Sequence, residues 1–412
     1  MISYKTRTLS NGLEVVVNRD RASELAAVNL LYKVGARNEN PERTGFAHLF
    51  EHLMFRGTAA VPDFDTPVQR ACGENNAFTN NDYTDFYMTL PKANVETALW
   101  LESDRMTGLD LSPQSLETEK RVVIEEFRQR YLNQPYGDLL MLLRALAYRE
   151  HPYRWATIGL TPDHIAAASL AEVRDFYRRH YRPSNAILSL SADLDEERMI
   201  DLAEKWFGAI PDAPQPDEPI PAEPLQTEAR RQEVERDVPA TTLALAFHIA
   251  GRTSADFFLG DMTSDLLAGG ESGRLYQRLV RERKLLGGVN AYVTGDVDPG
   301  LFVFTARLLP GTSVAQAEEA LWEEIRLLQT EEAGACELEK IKNKFEANTL
   351  FGEINVMNKA MNLGFYRMLG DLPLINREVE IYRSQTPDRI IDFSRRTFRS
   401  ENCSTLIYRA KQ

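Results

Sequence analysis

One eleven-residue pattern occurs twice in this chain. Asp175-Phe-Tyr-Arg-Arg-His-Tyr-Arg-Pro-Ser-Asn185 returns as Asp392-Phe-Ser-Arg-Arg-Thr-Phe-Arg-Ser-Glu-Asn402, close to half the chain length later. A repeat offset near half the length points to a duplicated domain. A strand-like run follows each copy, Ala186-Ile-Leu-Ser-Leu-Ser191 and Ser404-Thr-Leu-Ile-Tyr408. At 412 residues the chain is also too long for a single hydrophobic core. Two halves of similar fold are therefore expected, residues 1–210 and 230–412. Between them, Ile210-Pro-Asp-Ala-Pro-Gln-Pro-Asp-Glu-Pro-Ile-Pro-Ala-Glu-Pro224 is proline-rich and acidic, so 211–229 reads as an extended linker.

Each half mixes strands and helices. Leu13–Asn18 and Leu25–Val34 alternate or run apolar as strands do, and amphipathic patterns follow around 42–56, 92–106, 113–133 and 135–149. Strands grouped with helices predict an α+β fold of two duplicated α/β-layer domains rather than a doubly wound parallel sheet. In the second half Thr242–His248 reads as a strand and 257–268 as a helix.

His48-Leu-Phe-Glu-His52 carries the chemistry. Histidines four apart on a helix project from one face and can hold one metal ion. Glu51 is placed to take a proton from a water that the metal activates. This is the H-x-x-E-H order of an inverted zincin, which predicts metal-dependent peptide hydrolysis. Helical phase favours a site over ordinary surface histidines. Phe46, Leu49, Phe50, Leu53 and Met54 make one apolar stripe, and the two histidines lie nearly opposite it.

A catalytic zinc takes a third protein ligand and keeps one open position. Pro113 suits the first turn of a helix that Ser112 would cap, and Leu116, Val123, Phe127 and Tyr131 form its buried stripe. Glu119 and Glu126, seven apart, stack on one edge of that stripe, whereas Glu125 points about 100° away. Glu126 is thus the candidate ligand, with Glu119 two turns back to orient it or a neighbouring group. The alternative is two acidic residues that merely flank an amphipathic helix.

These residues resemble the pitrilysin/insulinase family of zinc peptidases, in its short bacterial and mitochondrial-processing-type branch. His48–His52 is followed, on the next long helix but one, by Glu126 within Glu119-x6-Glu126. Gly45–Thr58, Asn76-Ala-Phe-Thr79, His151-Pro-Tyr153, Tyr181-Arg-Pro-Ser-Asn185 and Gly273-Arg-Leu-Tyr276 also match, so the likeness covers nearly the whole chain. It implies that His48, His52 and Glu126 bind zinc and that Glu51 is the general base. It further implies that Asn76, Ala77 and Phe78 belong to an edge strand to which peptide substrate adds; a polar hairpin is the alternative.

The resemblance also implies an arginine and, seven residues later, a tyrosine in the second half that bind substrate. Arg281 matches the arginine, but the later position is Gly288. Tyr292 lies four residues further, roughly 13 Å along a strand at about 3.3 Å per residue. The expected protein is therefore the metal-bearing subunit of a heterodimer, completed by a homologous subunit carrying the Arg/Tyr pair. The rival reading is a non-catalytic structural or peptide-binding subunit of a larger complex.

Composition narrows the setting. A net charge of −13 argues against nucleic acid as a partner. No stretch reaches the roughly 18 apolar residues of a membrane span. A cytoplasmic location is expected, or a periplasmic one if a leader has been removed. Cys72, Cys336 and Cys403 read as free thiols. Gly269–Arg274 lacks a phosphate-loop pattern and reads as a helix stop, followed by a new cap at Ser272. His151, His164, His180 and His248 have no neighbour at ligand spacing and read as structural.

Overall fold

A computed structural model describes residues 1–212 and 219–411. Residues 213–218 of the expected linker lie outside the described residues. Two sheets form among those described. The first uses β1 (Lys5–Thr8), β2 (Glu14–Arg19), β3 (Leu25–Tyr32), β4 (Glu74–Thr79), β5 (Thr84–Pro91) and β6 (Ala186–Ala192), in the order β1-β2-β6-β3-β5-β4. The second uses β7 (Arg230–Arg236), β8 (Thr242–His248), β9 (Leu286–Val293), β10 (Leu301–Leu308) and β11 (Cys403–Ala410), in the order β7-β11-β8-β10-β9.

The sheets repeat one plan. β2 pairs in parallel with β6, and β7 with β11; the other neighbours are antiparallel. The first residues of matching elements keep the interval of the repeated pattern: Leu25 and Thr242, Thr84 and Leu301, Leu170 and Pro387, Ala186 and Cys403. The duplication announced by one short pattern thus extends through strands and helices alike, and the α+β expectation holds.

The compact units are not the contiguous blocks 1–210 and 230–412. The first comprises Met1–Arg128, Trp155–Ile220 and Thr349–Arg377; the second comprises Gln129–Arg154, Pro221–Asn348 and Glu378–Gln412. The helices Leu139–Ala147 and Val356–Met368, which are offset by the same interval, account for the difference. Each lies in the unit built mainly from the other half. Local periodicity shows that such a helix is amphipathic but not which sheet receives it.

In the first unit, Val356–Met368 packs on β3 and β6. Ala27 meets Val356 and Ala360 there. Gly364 permits the close approach, since a Cβ would lie 2.9 Å from Ser189 Oγ and 3.0 Å from Asn29 Nδ2. In the second unit, Leu139–Ala147 packs on β7, β8 and β11, with Leu143 and Ala147 against Ala244, Ala246 and Leu406. The helix Ala255–Ala268 stops before Gly269, as expected. Ser272 does not cap the turn that follows; its hydroxyl accepts from Lys340 Nζ at 3.0 Å. Cys72, Cys336 and Cys403 are free.

Candidate metal centre

The helix Phe46–Leu53 begins at Gly45, whose φ of 91° is left-handed and whose Cβ would fall 2.5 Å from Ile165 Cδ1. Glycine has no side chain to cap the exposed N–H groups, and Glu39 supplies the cap instead. Its carboxylate accepts from Gly45 N at 2.9 Å and Ala47 N at 2.8 Å, and the Trp155 indole donates to it at 3.1 Å. Burial pushes Glu39 up to about 8, against the pull of those three donors. On the core side, Phe46, Leu49, Phe50, Leu53 and Met54 are all buried, and Phe50 stacks on Phe176 and Tyr181 at 5.1 Å.

The opposite face presents His48 and His52, with ring centroids 4.9 Å apart. The second helix, Pro113–Phe127, is capped by Ser112 accepting from Ser115 N as expected, but it ends short of the expected 133 and gives way to a π-helical turn over Arg128–Leu132, which leaves Tyr131 only half-buried. It buries Leu116, Val123 and Phe127, and directs Glu126 at the histidines while Glu125 remains exposed. Glu126 Oε2 lies 3.1 Å from His48 Nε2 and 3.4 Å from His52 Nε2. Donor atoms of His48, His52 and Glu126 all fall within 4.8 Å of one another. Two imidazole nitrogens and one carboxylate converging on a point match the donor set of a three-ligand zinc site.

The far nitrogens have carboxylates of their own. His48 Nδ1 lies 3.4 Å from Glu51 Oε2, and His52 Nδ1 lies 3.3 Å from Glu119 Oε2. Burial works against the charged imidazole of His52, but hydrogen bonds to Glu119 and Glu126 prevail and raise it to about 9. His48 is raised in the same way, with burial opposed by Glu126 and Glu51. Burial would raise Glu51, yet its bonds to His48 and Thr79 hold it below the usual carboxylate range. Glu51 is thus kept ionised, the form that can accept a proton. Sequence reading found these five residues. It missed Glu39, and it missed Arg56, which bonds to Glu119. A glycine N-cap without a side chain was the available signal for the first, and a cation four residues after His52 for the second.

β4 runs beside this helix and forms the sheet edge. It pairs with β5, Ala77 opposite Phe86 and Thr79 opposite Thr84. Asn80 N donates to Tyr83 O at 3.0 Å at the hairpin end. Bonding alternates by residue, so 78 and 76 face β5 while Ala77 faces outward. Its N–H donates instead to Asn76 Oδ1 at 2.8 Å. Phe78 packs against Tyr83 and Tyr87.

In the second unit, Arg281 is exposed within the π-helix Tyr276–Glu282, and Gly288 lies on β9. The Tyr292 ring packs against the core cluster of Tyr148, Leu301 and Val303. The counterpart of the histidine helix, Ala255–Ala268, carries Asp261 and Asp265. Tyr382 donates to the first at 2.7 Å, and Lys344 pairs with the second at 2.6 Å. Among the described residues, His48, His52 and Glu126 are the group arranged to hold a metal. Of the other histidines, His151 Nε2 lies 3.3 Å from Asp298, His164 Nδ1 2.9 Å from Thr44 Oγ1, and His248 Nε2 2.9 Å from the Ala147 carbonyl.

This two-unit α+β fold brings two histidines and a glutamate together in its first unit, the donor set of a three-ligand metal site. Residues 14–160 match the insulinase family, peptidase family M16, and residues 167–345 match the peptidase M16 inactive domain. The chain belongs to the M16 family. It is 31% identical over 345 residues to the zinc protease PqqE of Helicobacter pylori, covering 82% of this chain and 78% of that protein. The crystal structure of a protease from Helicobacter pylori aligns with a TM-score of 0.93 at 28% identity, covering 99% of this chain and all of that one. That of a peptidase M16 inactive domain from Pseudomonas fluorescens has a TM-score of 0.88 at 18% identity, covering 100% and 98%. Family and relatives place the chain among zinc proteases.

Proposed function

We propose that this protein is a zinc-dependent endopeptidase that hydrolyses unfolded peptides bound as an extended strand. The convergence of His48 Nε2, His52 Nε2 and Glu126 Oε2 carries the reading. Those three residues would hold the zinc. When bound, zinc supplies Lewis acidity that activates water and polarises a peptide carbonyl.

The chain's own groups do the rest. Glu51, ionised, one turn after His48 and directly before His52, takes the proton of the attacking water and delivers it to the leaving amine. Glu119 fixes His52 through Nδ1 and leaves Nε2 for the metal. The outward face of β4 adds a peptide backbone as a further strand, so affinity comes from main-chain bonds with loose sequence demand. Ala77 N–H is the donor on that edge, once released from Asn76. Metal analysis together with hydrolysis of an unfolded peptide, with and without chelator, tests the reading. One zinc per chain, lost in His52→Ala together with activity, is expected. Undiminished zinc in that variant would contradict the ligand assignment.

The second part of the proposal concerns a partner. Gly288 offers no hydroxyl, and Tyr292 is committed to core packing, so stabilisation of the developing oxyanion is incomplete in this chain. A homologous subunit with the Arg/Tyr pair would supply it, making this chain the metal-bearing member of a heterodimer. The match of 167–345 to the inactive domain agrees with a second half in which the described residues form no group arranged to hold a metal.

A further inference from the structure

Arg56 follows the histidine helix by one turn. Phe55 N donates to His52 O at 3.1 Å and Arg56 N to Leu53 O at 3.0 Å, so the main chain is still coiled where the arginine leaves it. Its Nε and NH2 groups both reach Glu119 Oε1. Glu119 is buried, with 4% of its surface exposed, and its other oxygen faces His52 Nδ1 at 3.3 Å. The three residues form a line from solvent to metal ligand.

We propose that Arg56 is a positioning residue of the metal centre, acting through Glu119 on His52. The inference rests on the zinc reading of the site. The planar guanidinium delivers two N–H groups to one carboxylate oxygen, which pins that oxygen. The second oxygen is then aimed at His52 Nδ1. A proton held at Nδ1 leaves Nε2 with its lone pair free, and Nε2 is the nitrogen beside Glu126. Arg56 itself is about two-fifths exposed, and a pair between exposed charges would count for little. Here the carboxylate is buried, so removing the arginine strands a charge that burial disfavours.

The test is a double-mutant cycle on zinc affinity, read by competition with a chelating indicator. Arg56→Ala should weaken zinc about tenfold, and Glu119→Gln about 10- to 100-fold. The double variant should bind no more weakly than Glu119→Gln alone, because the arginine works only through that carboxylate. Arg56→Gln, which keeps the chain length without the charge, should show the same direction if the alanine variant folds poorly. Unchanged zinc affinity in either Arg56 variant would overturn the inference. So would losses that multiply in the double variant, which would mark a merely structural role. A wild-type chain that takes up no zinc would instead refute the reading of the site, and this inference with it.

Discussion

His48 Nε2 lies 3.1 Å from Glu126 Oε2 although 78 residues separate them in the chain. Two helices make that contact, each anchored by its own apolar stripe. The histidine helix buries Phe46, Leu49, Phe50 and Leu53, and the glutamate helix buries Leu116, Val123 and Phe127. The polar edges left over face each other. Burial thus fixes the site twice: it holds the helices, and it keeps His48 and Glu126 largely away from water.

Replacing Ala77 with proline removes the outward N–H of β4 without disturbing the bonds to β5. Peptide affinity should fall several-fold, in keeping with about 0.5–1.5 kcal/mol for one hydrogen bond. Zinc content should not change. Binding of a non-cleaved peptide by a folded, zinc-loaded Ala77→Pro protein checks this; wild-type affinity would exclude the edge as the docking strand.

Glu39 gives the fold a pH dependence of defined sign. Its pKa in the folded chain is about 8, above the ordinary value of 4.5. The folded state therefore holds a proton that the unfolded state has lost over that range. The stabilisation is complete below pH 4.5 and is lost as pH rises through 8. Glu39→Gln cannot ionise, so wild type should lose stability relative to the variant between pH 5 and 9. Urea midpoints of both proteins at pH 5, 7 and 9 measure it. Parallel curves would show that Glu39 is ionised throughout.

Much of this site was legible in the sequence because its logic is helical phase. A stripe of apolar residues fixes which way His48, His52 and Glu126 point, and seven-residue spacing stacks Glu119 with Glu126. Matching strands were legible where the duplicated pattern marks them, as at Ala186 and Cys403. The exchange of Leu139–Ala147 and Val356–Met368 between units was not, since either sheet offers an apolar face. Gly364 over Asn29 and Ser189 is a contact between residues far apart in the chain. Glu39 and Arg56 were missed for a related reason: a lone acid or base acquires its meaning from what folds against it.

The heterodimer proposal predicts weak peptide hydrolysis by the isolated chain. Adding a homologous subunit with the arginine and tyrosine should raise kcat about 10²–10³-fold, the usual cost of a missing oxyanion donor. A titration of activity against such a subunit, followed by size-exclusion chromatography, measures both effects. Full activity of the chain alone, unaltered by any addition, would remove the need for a partner.

The central claim is that Glu51 is the base of a zinc peptidase, and Glu51→Gln tests it most directly. The amide keeps the size of the side chain but cannot accept the proton. The variant should bind one zinc per chain as wild type does. In the complex that supports turnover, its rate of peptide hydrolysis should fall roughly 10²–10⁴-fold. Near-normal hydrolysis by the zinc-loaded variant would contradict the account.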